Sequence, residues 1–168
     1  MSHRACESAL LTVHDDDVAE ATGALITASR ALVGVAVRSL GAIEDSITLP
    51  QYRALVVLAS RGEQNVGVLA EVLGIHPSTA TRLCDRLAGK ALIERNPSVE
   101  SRREVTVTLT HQGQVLLRKV TRRRVREINK IVERLDPKAR HAAITALHAF
   151  AVAAGEVPDD AWKLGWTC

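Results

Sequence analysis

Between Val18 and Val35 apolar residues recur at alternating spacings of three and four: Val18, Ala21, Leu25, Ala28, Leu32 and Val35, with Ala42 and Ile43 further on. That spacing places one apolar stripe along a long helix. Several stripe positions are alanine, which lets a second helix approach closely. Asp15, Asp16 and Asp17 stand just before the stripe, where the macrodipole favours negative charge. Residues 1–14 carry no sustained period and read as a loose arm. A helix at a chain end has little of its own domain to cover it. The segment 1–47 therefore reads as an arm and a dimerisation helix, the alternative being a helix packed on its own domain.

Thr48-Leu49-Pro50-Gln51 is a capping-box pattern with proline in the first turn, and predicts a helix to about Ser60 that ends at Gly62. Val66 and its neighbours suit a short strand. Residues 68–73 predict a short helix closed by Gly74, Ile75 and His76 make a turn, and Pro77 opens a helix reaching about Gly89. Two short helices joined by a tight glycine-containing turn form a helix-turn-helix. Leu92 to Arg95 is a predicted strand, 96–101 a polar hairpin tip, and 103–109 alternates strictly, with Val105, Val107 and Leu109 facing the core. Thr110 caps a long helix to about Leu135. Asp136 and Pro137 then start a last helix with Ala142, Ala143, Ala146, Leu147, Phe150 and Ala154 on its apolar side, ending at Gly155. The fold class is thus mainly α with a small β-hairpin wing (α+β). It is a winged helix-turn-helix lobe over 48–110, between an N-terminal arm and dimerisation helix (1–47) and a long linker helix, C-terminal dimerisation helix and tail (111–168).

On the helix 77–89, Ala80, Leu83, Cys84 and Leu87 fall on one face and form its buried side. Cys84 is then a small core side chain. The opposite arc carries Ser78, Thr79, Arg82, Asp85 and Arg86, with Thr81 at its edge. Short hydroxyls at the start of a helix and two arginines one turn apart suit a major groove, where Arg82 meets a guanine through O6 and N7 and Arg86 a phosphate or second base. Asp85 is repelled by phosphate and reads as a brace for an arginine. In the wing, 93–109, Arg102 and Arg103 follow the hairpin tip beside Arg95. An arginine presented there can enter a narrow minor groove.

Composition sharpens this picture. The net charge of +3 conceals segregation: residues 1–75 are net −4, 76–124 net +7 and 125–168 net 0. A basic block is only a solvated helix face unless it coincides with a docking geometry, and here it does. Aromatic residues are 2% of the chain, which argues against a stacking platform for single strands. Contiguous apolar runs such as Leu55–Ala59 fall far short of the ~20 residues that span a bilayer. The N-terminus lacks a secretory pattern, so the expected location is cytoplasmic, with no membrane partner.

The stretch Thr48 to Gly113 resembles the multiple-antibiotic-resistance-regulator (MarR) family of dimeric winged-helix transcription factors. The matching motifs are Pro77-Ser78-x-x-Thr81-Arg82-x-x-Asp85-Arg86-Leu87 on the second helix, and Ser101-Arg102-Arg103 leading to Leu109-Thr110-x-x-Gly113 after the wing. The resemblance implies a homodimer on a pseudo-palindromic double-stranded operator, usually as a repressor released by a small phenolic or anionic effector. It matches Arg103 to the family's minor-groove arginine. It also implies an effector cleft between the dimer helices and the lobe, lined by Leu25, Ser29, Tyr52, Arg53 and the N-terminal part of the long helix. Three positions depart from the family pattern. Ser101 replaces an aspartate that braces the wing arginine, leaving that task to Glu100 or Glu104. His76 replaces a serine cap, which weakens the cap. Ala91 replaces a glycine, which strains the turn.

No phosphate loop, nucleophile elbow or HExxH occurs, so neither an enzyme nor a cofactor is expected. His141 and His148 share a helix face but read as surface residues, with no metal implied. Cys6, Cys84 and Cys168 are odd in number, widely spaced and form no CxxC pair, which suits reduced thiols. Two other functions stay open on this reading: a winged-helix protein-interaction module without specific DNA binding, and a thiol-based redox-sensing regulator.

Overall fold

A computed structural model describes residues 3–41, 47–97, 105–158 and 162, and for 3–15 the backbone alone. The elements in order are helix α1 (His3–Gly41), α2 (Leu49–Arg61), strand β1 (Gln64–Asn65), α3 (Val66–Leu73), α4 (Pro77–Gly89), β2 (Ile93–Pro97), β3 (Val105–Leu109), α5 (His111–Val132) and α6 (Pro137–Ala153). The sheet is antiparallel in the order β1-β3-β2. Its register pairs Ile93 with Leu109, Pro97 with Val105 and Gln64 with Val107. This is the mainly α winged helix-turn-helix that the periodicities predict.

The caps do the local work. The Thr48 N–H donates to Gln51 Oε1 at 2.9 Å and the Gln51 N–H to Thr48 Oγ1 at 3.4 Å, closing the capping box of α2. Asp136 takes the N–H of Ala139 at 2.9 Å and Thr110 that of Gly113 at 3.0 Å, so α6 and α5 also start where their polar caps stand. Gly74 closes α3 in the left-handed region (φ 64°, ψ 34°).

The core is a single cluster under the lobe. Leu55 and Leu58 of α2 meet Leu69 of α3, Cys84 and Leu87 of α4, Ile93 and Val107 of the sheet, and Leu117 and Val120 of α5. α2 buries most of its residues from Gln51 to Ser60 and is the centre of the lobe. The start of α5 is docked on the turn after α4: the Thr110 hydroxyl donates to Ala91 O at 2.7 Å and the Thr110 N–H to Leu92 O at 3.2 Å. Gly113 is buried there, and a Cβ on it would overlap the Leu92 carbonyl and lie 2.7 Å from Leu109 Cδ1. Only glycine allows this approach.

Four expectations change. The loose arm is instead the start of α1, which runs from His3, so Asp15–Asp17 lie within a helix and not in its first turn. Ala5, Ala9, Leu10 and Leu11 are strong helix formers and nothing before them stops the helix. Val66 is the first residue of α3, because the Asn65 side chain accepts from the Gly67 N–H at 2.7 Å and ends the strand there. Asn96 and Pro97 belong to β2 and not to the hairpin tip; β2 is an edge strand, where proline is tolerated. Finally, Asp16–Gly41 of α1 is long and apolar enough, by length and composition, to cross a membrane. Counting unbroken apolar runs missed it because alanine, glycine and isolated polar residues break the runs. Its C-terminal part is spent on the lobe, where Val35, Ala36 and Leu40 are buried. The residues Ala42 and Ile43, the hairpin tip from 98 and the tail beyond Trp162 lie outside the described residues.

Candidate nucleic-acid interface

α4 separates its faces as its sequence requires. Ala80, Cys84 and Leu87 have no exposed surface and Leu83 is buried beside them. Ser78, Thr79, Arg82, Asp85 and Arg86 are exposed and Thr81 is half-buried. The turn that aims the helix is tight: the Ile75 N–H donates to Ala70 O at 3.0 Å, and His76 O takes the N–H groups of Thr79 at 2.9 Å and Ala80 at 3.1 Å. His76 does cap α4. Its Nδ1 accepts from the Ser78 N–H at 3.3 Å and pairs with the Ser78 hydroxyl at 2.9 Å. The long backbone contact fits the weaker cap expected of histidine.

The predicted contact residues fall into two groups around this helix. Thr79, Arg82 and Arg86 border a shallow depression against Thr48 and Pro50 at the start of α2. Thr81 and Arg95 border another, against Asn65 and Gly67 at the start of α3. Arg95, on β2, is ion-paired with Asp85. The brace expected at Asp85 therefore exists, and it ties the second helix to the base of the wing. Arg82 is partly held by its own helix, with Nε donating to Ser78 O at 3.4 Å. Arg102 and Arg103 lie outside the described residues, as do Ser101, Glu100 and Glu104.

Burial pushes the Cys84 thiol above its ordinary pKa; nearby Arg95 opposes this and Asp85 adds to it. A protonated, buried thiol is a poor nucleophile, so the core reading of Cys84 stands against the sensor reading. The side chains of Cys6 and Cys168 lie outside the described residues. His141 and His148 are exposed, and among the described residues no group of three or more His, Cys, Asp or Glu side chains is placed to hold a metal.

The expected effector cleft is only partly as anticipated. Tyr52 and Arg53 line a cavity of about 400 Å³, together with Thr121, Arg124, Glu156 and Trp162. Leu25 and Ser29 do not line it. Leu25 is half-buried, and Ser29 is exposed with its hydroxyl turned back to Ile26 O at 2.7 Å. α1 passes α5 near Arg38, which reaches Glu127 at 3.9 Å. Leu25 is thirteen residues up the helix from that crossing, about 20 Å at 1.5 Å per residue. The middle of α5, and not its N-terminal part, forms the wall.

Arg124 is the residue that sequence reasoning missed, because it lies within the basic block 76–124. It falls on the stripe of Leu117 and Val120, the buried side of α5. A charge on a core stripe was the available signal. Its Nη1 donates to Tyr52 Oη at 3.2 Å, and its guanidinium carbon lies 5.6 Å from the Tyr52 ring centroid.

The helix-turn-helix, the three-stranded wing sheet and the flanking long helices define a winged helix-turn-helix protein. The MarR family profile matches residues 47–105. Among solved structures, that of RV1404 from Mycobacterium tuberculosis superposes with a TM-score of 0.71 at 45% identity, covering 83% of this chain and 95% of the other. The chain is 30% identical over 101 residues to the HTH-type transcriptional regulator YfiV of Bacillus subtilis, covering 60% of this chain and 63% of YfiV. It is 31% identical over 77 residues to the HTH-type transcriptional repressor MdtR of the same organism, covering 46% of this chain and 50% of MdtR. The matched stretches thus span half to under two thirds of those two relatives. This chain belongs to the MarR family.

Proposed function

We propose that the protein is a dimeric, sequence-specific regulator of transcription that binds double-stranded DNA in the cytoplasm, a repressor relieved by a small ligand. The observation that carries this reading is the two-faced α4. One side is locked into the core by residues without exposed surface, and the other offers Ser78, Thr79, Arg82 and Arg86 to solvent. A rigid helix with outward arginines reads base edges in the major groove, with Arg82 as the base reader and Arg86 one turn on. Thr81 lies at its edge. The Asp85–Arg95 pair joins the wing base to this helix, and the wing's Arg102 and Arg103 are assigned to the neighbouring minor groove. The name of MdtR, a repressor, supports the sign of regulation.

Dimerisation is supported by what a single chain leaves uncovered. α6 has no buried residue, and Ile144, Leu147, Phe150 and Val152 on it are exposed, as are Val18, Ile26, Val33 and Val37 on α1. Helices that apolar need a partner. The units 1–47 and 111–168 supply them, and 48–110 forms the reading lobe. The effector reading rests on the Tyr52–Arg124 cavity, which joins an aromatic ring to a guanidinium.

The test uses a duplex carrying an inverted repeat from the DNA flanking the coding region, with half-site centres about one helical turn apart. Arg82→Ala is expected to cost about 1–3 kcal/mol in binding and to relax preference at one base pair. Arg103→Ala is expected to weaken binding and to lower its salt dependence. Anisotropy titrations at two salt concentrations measure both. If both variants bind like wild type, the groove assignments fail; if wild type shows no binding at low salt, the lobe is an interaction scaffold.

A further inference from the structure

α5 leaves the lobe and α6 returns to it. The last buried residue of α5 is Val120, and the helix continues about 18 Å beyond it to Val132. α6 buries no residue and is about 25 Å long. It ends at Gly155, in the left-handed region (φ 71°). There the Gly155 N–H donates to Val152 O and the Glu156 N–H to Ala151 O, both at 3.0 Å. In this pattern a glycine reverses the chain after a helix. The reversal sets both residues on α2. Gly155 O accepts from Arg61 Nη2 at 3.1 Å. Glu156 Oε2 accepts from Arg53 Nη1 at 3.0 Å, and Oε1 pairs with Nη2. Arg53 and Arg61 stand about 12 Å apart along α2.

We infer that Arg53, Arg61 and Glu156 are positioning residues: they clamp the returning end of α6 to α2 and so set the half-site spacing that the dimer accepts. This rests on the dimer and operator readings above. α1 and α5 pass each other where Arg38 reaches Glu127 at 3.9 Å, and a lobe held there alone swings about that crossing. The clamp adds a separate point of attachment and closes a triangle of α5, α6 and α2. Both groups of the Arg53–Glu156 pair are partly exposed, and an exposed ion pair adds little to stability. A bidentate arginine–carboxylate pair fixes direction as well as distance, however, which is what an angular brace requires. α2 carries that direction to the reading helix. Leu55 and Leu58 share a core with Cys84 and Leu87 of α4, and Thr48 and Pro50 border one depression with Arg82 and Arg86. A rotation of α2 against α6 therefore rotates α4 with it. Each base pair added between half-sites turns them by about 35°, so a freed lobe accepts spacings that a braced one rejects.

The test titrates duplexes carrying the inverted repeat with its spacer lengthened or shortened by one or two base pairs, and a duplex with a single half-site. The proteins are wild type, Glu156→Arg, Arg53→Glu, the double reversal, and Arg61→Ala, with thermal melts to verify folding. Wild type is expected to prefer one spacing. Each single reversal is expected to lower that preference, the ratio of the best affinity to its neighbours, by about fivefold or more, with half-site affinity and melting midpoint near those of wild type. Arg61→Ala, which removes the donor to Gly155 O, is expected to move the preference the same way. The double reversal restores the ion pair and is expected to restore the preference. A wild type that binds every spacing equally overturns the dimer reading and the clamp together. A selective wild type with equally selective single reversals overturns the clamp alone. So does a loss of half-site affinity in step with the preference, or a double reversal as unselective as the singles. Should a single reversal fail to fold, Arg61→Ala and the double reversal decide the matter.

Discussion

At the scale of single residues, the backbone shows where side-chain identity works against the fold. Among the described non-glycine residues Ala91 alone has positive φ, at 55°. It is held there by its N–H on Ala88 O at 2.8 Å and by the Thr110 hydroxyl on its carbonyl. The left-handed region costs an L-residue roughly 1–2 kcal/mol, and glycine avoids this while adding about 0.5–1 kcal/mol of unfolded-state freedom. Ala91→Gly is therefore expected to stabilise the protein by about 0.5–1 kcal/mol, read from the midpoint of urea unfolding at unchanged slope; a lower midpoint would show that the turn is unstrained. This strain was legible in the sequence only through the resemblance, whose pattern has a glycine where this chain has Ala91. The cleft was not. Tyr52, Arg124 and Trp162 are far apart along the chain, and no local spacing records that the fold brings them to one cavity.

At the scale of elements, legibility follows the caps. Thr48, Thr110 and Asp136 each accept from a backbone N–H three residues on, so start signals in the sequence became helix starts in the fold. Where a cap competes with a propensity, the propensity misleads. Val66 favours a strand, but Asn65 before it starts a helix. Where no stop signal exists, as before Asp15, the helix continues. The capping box of α2 matters most because α2 is the centre of the core. Thr48→Ala leaves the Gln51 N–H without its side-chain acceptor and is expected to cost about 0.5–2 kcal/mol. Urea unfolding measures this, and Thr48→Ser, which keeps the acceptor, is expected to retain most of the stability. Equal losses in both variants would mean that the threonine methyl, and not the cap, contributes.

At the scale of the whole molecule, two surface asymmetries remain to be joined. Positive charge is concentrated in 76–124, whereas apolar exposure is concentrated on α1 and α6. The proposed reading lobe and pairing platform are made of different elements, which would explain why the two do not overlap. Leu147 and Phe150 are about half exposed and Val152 is 71% exposed, on a helix that contributes nothing to the lobe core. Introducing charge there should break pairing without unfolding the lobe. For Leu147→Glu with Phe150→Glu, light scattering is expected to report a monomer at concentrations where the proposal has the wild type as a dimer. The cooperative unfolding of the lobe is expected to persist. Affinity for the full inverted repeat should fall toward that for one half-site, because the second contact is no longer intramolecular. A double variant that still pairs would move the platform to α1. A double variant that becomes monomeric yet keeps full operator affinity would mean that one lobe reads the whole site, which a single α4 with two outward arginines is too short to do.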